Sequence, residues 1–552
     1  MKKLKLLSFI LILSLNQGLF TGCSKNIDKA KLDAYFEILA DNNRFMGSVA
    51  VSRNGKLIYA KTVGFADIER GLKAGENSKY RIASISKTFT AVLIFKAIEE
   101  DKLNLNQTID KFFPEIKNAD KMTISHLLYH RSGIPNDNNY FLQSKTVREV
   151  IEKLSNAESF FEPDAQKSYG NTSFVLLSYI LEKIYQKPYS EILEEKITKP
   201  IGLKNTYCGK KINVEDNECH SYKYDWVTEF ETMSIKYAWV TDPDVDISGL
   251  HGGAGIVSNA IDLALFGTAL FNGKLISIHS LQQMKTIKDD HGMGLVQMSF
   301  DDKTGFGHAG GWDGFSSNFV YFLDRNISFA FTANGLHYDK NTIVSAVLNV
   351  VYNKSFEIPE FKTSTYSATD EDLDNYAGIY SSEEIPEKIT LIKIYNTLFG
   401  TKENSYVPLV ATEKGKFEFA EEGIILEFNP IDKSMAFTER GKIYNFKKIE
   451  NSEIKTCAFH IANKDSNKYL GVYSSEQFPA KATIIKACNN LFVRAQGRNS
   501  LMLLDTTEKD KFTIAEEGII LEFDPTGKIM IVKQDGKILI FEKERKHIDI
   551  EH

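Results

Sequence analysis

Alternating apolar and polar positions near the start of the chain predict a β-hairpin over residues 47–65, with its turn at Asn54-Gly55. Helical periodicity recurs from residue 85 to about 270, and a further apolar helix is expected near residues 341–352. Two more strands are expected within residues 315–333. Strands at both ends of a region, with helices between them, are typical of one α+β domain whose sheet is built from distant segments.

The last third of the chain contains an internal repeat. The segment YAGIYSSE that begins at Tyr376 matches YLGVYSSE at Tyr469, and the segment AEEGIILEF at Ala420 recurs at Ala515. Each copy contains about eight short strands separated by turn signals, which predicts a small antiparallel up-and-down barrel. A barrel of this size is normally filled by its own side chains.

Composition agrees with several globular domains. The chain has 552 residues, of which 43% are hydrophobic and 25% charged, and its net charge of −6 is spread over interspersed signs. This balance does not favour nucleic acid as a partner. We expect a first domain over residues 28–355, a linker over 356–372, and two barrels over 373–450 and 463–546.

The N-terminal 22 residues read as an export signal. Three lysines precede an apolar run from Leu6 to Leu15, which is too short to span a bilayer as a helix. The following Leu19-Phe20-Thr21-Gly22-Cys23 is similar to the lipobox of bacterial lipoproteins, which implies acylation of Cys23. We therefore expect an envelope protein tethered by lipid, in the inner or the outer membrane. Plain secretion with cleavage near Gly22 is the alternative.

Five cysteines are too few for a disulfide-built scaffold. Cys208 and Cys219 lie eleven residues apart in a loop-like stretch. In an oxidising compartment this pair is compatible with a disulfide or with two free thiols.

Candidate chemistry begins with an S-x-x-K motif at Ser84-Ile85-Ser86-Lys87. Ser84 precedes a segment that is apolar nearly all round, which indicates a buried helix whose positive end favours an alkoxide at that serine. Lys87 lies one turn further on the same face, and burial favours the neutral amine that a base requires. A second S-x-x-K at Ser452 lies between the repeats and lacks this context.

Two further motifs follow in order. Tyr169-Gly170-Asn171 stands at the entry to an apolar helix, and residues 305–311 (GFGHAGG) read as a strand in which glycines allow close backbone approach. With this series the chain resembles the class C-like branch of the serine β-lactamase and penicillin-binding protein superfamily, which carries S-x-x-K, Y-x-N, then K-T-G or H-x-G. The resemblance covers about residues 30–353, and the C-terminal copies resemble lipocalin-like modules.

The resemblance implies a domain with an antiparallel sheet flanked by helices and a helical subdomain. It implies that Ser84 is the nucleophile, that Lys87 and Tyr169 share acid and base work, and that Asn171 holds the substrate. It also places the substrate against a strand, and it implies an oxyanion hole formed by the backbone N–H groups of Ser84 and Gly311. The strand residues expected to bind substrate are His308, Gly310 and Gly311.

His308 stands where β-lactamases carry lysine. An imidazole with an ordinary pKa of ~6.5 is mostly neutral at pH 7 and gains charge toward pH 6. We therefore expect weaker electrostatic capture of a β-lactam or peptide carboxylate. By resemblance, H-x-G at this position is more similar to the DD-peptidases, D-aminopeptidases and esterases of the branch, acting on a small molecule or peptide, than to true β-lactamases. A binding protein that keeps the fold without turnover is the alternative from another class.

No cofactor or metal is expected. His126 and His130 have the i, i+4 spacing of a metal pair, but no third ligand is visible in the sequence. Residues 136–165 and 205–250 carry no readable pattern, so the acyl substrate and the oligomeric state stay open.

Overall fold

The computed structural model describes most of the chain from residue 27 onward. Its described ranges are 27–142, 146–230, 232, 234–361, 366–402, 405–419, 423–439, 441–450, 464–478, 480–487, 490–498 and 500–544. The expected signal segment, Cys23 and the second S-x-x-K motif at Ser452 lie outside these residues.

An antiparallel sheet forms the centre of the N-terminal domain. In spatial order its strands are Val296–Phe300, Lys303–Trp312, Phe315–Phe322, Ile327–Leu336, Phe45–Arg53 and Lys56–Val63. The predicted N-terminal hairpin is confirmed, and its turn residues Asn54 and Gly55 have φ values of 51° and 78°. Positive φ at both turn positions is the geometry that asparagine and glycine permit in two-residue hairpins.

Successive strand residues point to opposite faces of the sheet, so apolar residues on both faces need cover. Helices pack against both faces. Val49 and Val51 pack in a cluster with the helices Lys29–Asp41 and Lys340–Val351. Ala50, between the two valines, belongs instead to the cluster that contains the helix Ala260–Phe271.

The remaining helices of this domain form a helical layer beside the sheet. They are Ser86–Glu99, Ile124–Leu128, Asn139–Leu142, Val147–Asn156, Thr172–Tyr185, Tyr189–Leu193, Lys199–Ile201 and Ile278–Lys285. The helix Ser86–Glu99 is buried on nearly every side, as its sequence predicted. Its ring at Phe89 stacks on Phe266 with 3.8 Å between ring centroids, which fixes the helical layer to the sheet-covering helix.

A second hairpin, which the sequence did not predict, lies within residues 205–250. Its strands are Tyr222–Glu229 and Ser234–Thr241, and Tyr222 pairs in parallel with Gly335 of the main sheet. We call this element the docking hairpin because both barrels pack against it. Both of its faces are partly covered, so its residues lack the clean polar and apolar alternation of a strand with one exposed face.

The C-terminal region forms two closed antiparallel barrels of eight strands each. In the first barrel the strands are Gly378–Ser381, Ile389–Ile394, Thr397–Lys402, Ser405–Glu413, Lys416–Phe419, Ile424–Asn429, Ser434–Glu439 and Lys442–Glu450. In the second they are Gly471–Ser474, Ala482–Ala487, Asn490–Ala495, Leu501–Glu508, Lys511–Ile514, Ile519–Phe523, Ile529–Gln534 and Lys537–Lys543. In each barrel every strand pairs with its chain neighbour and the first pairs with the last, as expected for an up-and-down barrel.

Side chains fill the barrel interiors. The first barrel buries a cluster that includes Tyr380, Phe417 and Phe446, and the second buries its own cluster around Tyr473 and Phe512. The helix Asp370–Tyr376 begins inside the stretch expected to be linker, because its apolar residues join the core of the first barrel. The predicted fold class, an α+β domain followed by two small barrels, is confirmed.

The barrels meet edge to edge. Tyr406 of the first barrel pairs with Leu501 of the second, and Ser405 pairs with Met502. These residues lie on the fourth strand of each barrel, so the contact joins equivalent strands of the repeat.

Candidate active site

Ser84 lies in a 3₁₀ turn, Ala83–Ile85, which leads directly into the helix Ser86–Glu99. Ala83 has a φ of 46°, the left-handed conformation that residues with a Cβ rarely adopt. Strained backbone of this kind persists where the surrounding structure determines it, often at functional sites. The turn leaves Ser84 half-buried at the positive end of a buried helix.

Lys87 extends its amine back to this serine. Its Nζ lies 2.9 Å from Ser84 Oγ, 2.6 Å from Asn171 Oδ1 and 3.0 Å from the Gly253 carbonyl oxygen. The side chain has no exposed surface, and burial lowers the pKa of Lys87 to about 7. In its neutral form the amine donates two N–H bonds, to Asn171 and Gly253, and its lone pair is left to accept the Ser84 proton.

Tyr169 lies beside the lysine that contacts the nucleophile. Its ring centroid is 4.9 Å from Lys87 Nζ, the atom that lies 2.9 Å from Ser84 Oγ. Burial raises the pKa of Tyr169, so the phenol keeps its proton near neutral pH. Because the environment pushes the two pKa values apart, Lys87 is suited to act as the base and Tyr169 as the proton donor.

Asn171 is held by two residues that the sequence did not single out. Its side-chain nitrogen donates to Asn138 Oδ1 at 2.9 Å, and its backbone N–H donates to Asn136 Oδ1 at 2.7 Å. The first of these bonds sets the amide orientation, so that Asn171 Oδ1 faces Lys87. Both asparagines lie in the stretch 136–165, where no motif distinguishes them from ordinary turn residues.

His308 is on the strand Lys303–Trp312 and is 4% exposed. Its Nδ1 lies 2.6 Å from the Ala309 carbonyl oxygen, which can only accept, so the proton of the neutral ring is on Nδ1 and Nε2 is an acceptor. Burial, aided by the Lys87 charge, lowers the pKa of His308 to about 3. From the sequence we expected His308 to gain positive charge toward pH 6. That expectation is wrong, because with its lowered pKa the ring stays neutral at pH 6.

The two glycines of the strand have different surroundings. A Cβ at Gly310 would lie 2.2 Å from the Ile82 carbonyl oxygen, so only glycine lets the strand approach the turn before Ser84. Ser317 of the next strand donates to the same oxygen at 2.9 Å. A Cβ at Gly311 would meet no atom within 4 Å, which places this residue beside open space.

A family model described as Beta-lactamase matches residues 32–350, which is more than half of the chain. The chain belongs to the beta-lactamase family. The resemblance inferred from its motifs is thereby confirmed, and the protein is a serine hydrolase of that family.

Named relatives agree with this assignment. The chain is 26% identical over 359 residues to Penicillin-binding protein 4* of Bacillus subtilis (strain 168), covering 61% of this chain and 79% of that protein. It is 28% identical over 186 residues to Teichoic acid D-alanine hydrolase of Staphylococcus aureus (strain MRSA252), covering 33% of this chain and 45% of that protein. The crystal structure of D-amino acid amidase from Ochrobactrum anthropi SV3, complexed with D-phenylalanine, has a TM-score of 0.51 at 24% identity, covering 58% of this chain and 99% of that one. That last likeness concerns the fold.

Two histidines surround Tyr169 in this beta-lactamase family site. The His130 ring lies 4.5 Å from the Tyr169 ring, and the His291 ring lies 5.4 Å from it. His130 Nδ1 accepts the Gly170 N–H at 3.4 Å, and burial with the nearby Lys87 charge holds the pKa of His130 well below its usual range. His130 therefore supports the tyrosine loop as a neutral ring.

His126 has a different role from His130. It forms a capping box with Thr123 at the start of the helix Ile124–Leu128, and His130 follows the end of that helix with a φ of 58°. The two rings thus do not form an i, i+4 pair on one helix. Over the described ranges no group of three His, Cys, Asp or Glu residues is placed to hold a metal ion.

The two described cysteines are free thiols. Cys208 is half-buried and Cys219 is buried, and burial raises the pKa of each thiol to about 12. Of the two states that the sequence left open, the structure has the reduced one.

The pKa of Lys87 leads to a testable pH dependence. Acylation by a neutral fluorescent phosphonate is expected to rise about tenfold per pH unit below pH 7 and to level off above it, because only the neutral amine accepts the Ser84 proton. His308 and Tyr169 do not titrate in that window. Stopped labelling reactions between pH 5.5 and 8.5 measure the profile.

A Lys87→Met variant is the control, and it should label at least ~10²-fold more slowly without an inflection near pH 7. A wild-type rate that is flat or falls with rising pH would contradict the role of Lys87 as base.

Proposed function

We propose that the protein hydrolyses amide or ester bonds through a covalent acyl-Ser84 intermediate, as a DD-peptidase, D-aminopeptidase or esterase. The observation that carries this proposal is the 2.9 Å contact between Ser84 Oγ and the buried amine of Lys87. A lysine in solution is a cation at pH 7, whereas a pKa lowered to about 7 makes a substantial neutral fraction available as a base.

The reaction follows from the contacts of three side chains. Ser84 Oγ attacks the carbonyl carbon while its proton passes to Lys87 Nζ, and the developing oxyanion is stabilised by the backbone N–H groups of Ser84 and Gly311. As the tetrahedral intermediate collapses, Tyr169 gives its proton to the leaving amine or alcohol and recovers one from Lys87. Water then hydrolyses the ester by the reverse sequence, which restores Ser84.

The substrate class rests on His308. A neutral ring that offers an acceptor at Nε2 gives no electrostatic attraction to a carboxylate, in contrast to a lysine ammonium. We therefore favour substrates whose acyl portion is uncharged or carries an N–H or ammonium donor, such as D-amino-acid amides and esters. Two similar proteins, the D-amino acid amidase and the Teichoic acid D-alanine hydrolase named above, support this class.

A true β-lactamase is the second candidate. The relative named Penicillin-binding protein 4* supports acylation by penicillin, which is also the first half of β-lactam hydrolysis. The two readings differ in the second half, since a β-lactamase releases the acyl group rapidly. A binding protein without turnover would differ from both, because it would hold substrate without hydrolysing it.

The nucleophile is tested by removing its hydroxyl. A Ser84→Ala variant is expected to lose covalent labelling by a fluorescent phosphonate and by a fluorescent penicillin, and to lose orders of magnitude in hydrolysis. Ser452→Ala is the matched control, because it removes the serine of the other S-x-x-K motif. Labelled bands on gels and hydrolysis of p-nitrophenyl acetate, D-amino-acid amides, a D-Ala-D-Ala peptide and nitrocefin provide the readouts. Undiminished hydrolysis by Ser84→Ala would show that the nucleophile lies elsewhere.

The charge at residue 308 is tested by substitution. A His308→Lys variant is expected to shift preference toward a carboxylate-bearing substrate relative to a neutral ester by ~1–2 kcal/mol, the scale of a charge-assisted contact. His308→Gln, which stays neutral, should leave the ratio unchanged. The ratio of kcat/KM for nitrocefin to that for p-nitrophenyl acetate is the measurement. A wild-type kcat/KM for nitrocefin above ~10⁶ M⁻¹s⁻¹ would favour the β-lactamase reading instead.

We also propose that the protein is an envelope lipoprotein anchored through Cys23. The proposal rests on the charged and apolar residues of the first segment and on the small residues before Cys23. Within the described residues no helix is long and apolar enough to span a bilayer.

Anchoring is tested by phase partition. Wild-type protein expressed in bacteria is expected in the detergent phase, because two or more acyl chains bind membranes firmly where one chain binds only marginally. Cys23→Ala should move the protein to the aqueous phase, whereas Cys457→Ala, the matched cysteine control, should not. Recovery of wild-type protein in the aqueous phase would contradict acylation of Cys23 and would indicate that residues 19–23 are an ordinary signal-peptide cleavage site.

A further inference from the structure

The docking hairpin, Tyr222–Glu229 with Ser234–Thr241, lies between the catalytic sheet and both barrels. Trp226 and Ile235 share an apolar cluster with the outer faces of the barrels. The members from the first barrel are Ile392, Ile394 and Phe399, and those from the second are Ile485, Ala487, Phe492 and Leu501. Asn396 of the first barrel also accepts the Ile235 N–H at 2.8 Å. The hairpin therefore packs against both barrels and also pairs with the sheet of the catalytic domain.

Arg494 of the second barrel forms a buried ion pair with the hairpin. Its guanidinium donates to the Asp225 carboxylate and, at 2.5 Å, to the Trp226 carbonyl oxygen, and it stacks 3.9 Å from the Trp226 ring centroid. Both side chains of the ion pair are less than 10% exposed. A buried pair of this kind resists separation, because either partner alone would be an uncompensated buried charge.

The other end of the hairpin holds a turn of the active-site strand. Asp242, directly after the hairpin, accepts the Ser221 hydroxyl at 2.6 Å and the Gly314 N–H at 2.7 Å. Ser221 Oγ accepts the same N–H at 2.8 Å. Gly314 belongs to the turn between the strands Lys303–Trp312 and Phe315–Phe322, three residues after Gly311.

The fit at this turn is tight. A Cβ at Gly314 would lie 2.2 Å from the Tyr222 carbonyl oxygen, so a displaced hairpin pushes directly against the turn. Gln496 of the second barrel adds a tie at the same end, since its Nε2 donates to the Thr241 carbonyl oxygen at 2.7 Å. The second barrel thus contacts the hairpin through polar groups at two points, Asp225 and Thr241.

We propose that Arg494 is a positioning residue for hydrolysis: it fixes the docking hairpin, which in turn fixes the Gly314 turn and the strand carrying His308 and Gly311. The proposal rests on the proposed acylation of Ser84. Its physical basis is that an oxyanion hole works only when its donors are held in place, and that small displacements of catalytic groups reduce the rate strongly.

The experiment compares Arg494→Met with Lys468→Met in the full-length protein. Lys468 pairs with Asp510 at 2.6 Å within the second barrel, so its loss weakens the barrel while the contacts of Arg494 stay. Two measurements are made: phosphonate labelling, analysed as maximal rate and half-saturation concentration, and amide hydrogen exchange over residues 305–316.

Arg494→Met is expected to lower the maximal labelling rate about tenfold, with half-saturation changed less than about twofold, and to speed exchange over residues 305–316. Lys468→Met should speed exchange only within the second barrel and leave labelling unchanged. Equal effects of the two variants, or unchanged exchange over 305–316 in Arg494→Met, would overturn the proposal.

If Arg494→Met does not fold, Gln496→Ala removes a single neutral bond to the hairpin and should give the same pattern with smaller effects. If the wild-type protein does not label at all, the proposed function fails, but the exchange measurement still decides whether Arg494 holds the active-site strand.

Discussion

The side-chain amine of Lys87 is buried where a charge is costly and where each N–H needs an acceptor. Its three partners come from the turn at Ser84, the helix entry at Asn171 and the loop at Gly253, so pairing one amine brings together three segments distant in the chain. The helix that carries Lys87 is buried continuously from Ser86 to Phe95. Two threonine hydroxyls of this helix donate to glycine carbonyl oxygens, Thr88 to Gly294 and Thr90 to Gly252. Gly294 approaches the helix closely because it lacks a Cβ, which would lie 2.6 Å from the Ala91 side chain.

Much of the fold and the candidate site was predictable where chemistry demands rare residue combinations. A serine, a lysine three residues later and a tyrosine with an asparagine two residues after it form a pattern with few other uses. The structure brings Ser84, Tyr169 and Asn171 together around the Lys87 amine. The barrels were predictable for another reason. Two copies of one strand pattern identify a repeated unit even when a single copy is ambiguous.

The unpredicted features depend on burial and on long-range contact, which local patterns do not encode. His308 stays neutral because burial, aided by the Lys87 charge, lowers its pKa, and its sequence motif does not reveal this burial. Asn138 orients Asn171 across 33 residues of chain, but in the sequence it is an ordinary turn residue. The docking hairpin was missed because both of its faces are covered, by the sheet on one side and by the barrels on the other.

The pairing of the two barrels has a consequence for how the hairpin is oriented. Tyr406 and Leu501 occupy the same position in the repeat, so their contact is of the kind that two identical subunits form about a two-fold axis. If the paired barrels had exact two-fold symmetry, their surface would bind the hairpin equally well in two orientations related by a 180° rotation. The two copies of the repeat differ at the position that faces Asp225, where the second barrel has Arg494 and the first has Thr401. Only one of the two directions places Asp225 against a guanidinium, so this difference between the duplicated modules distinguishes the two orientations of the hairpin.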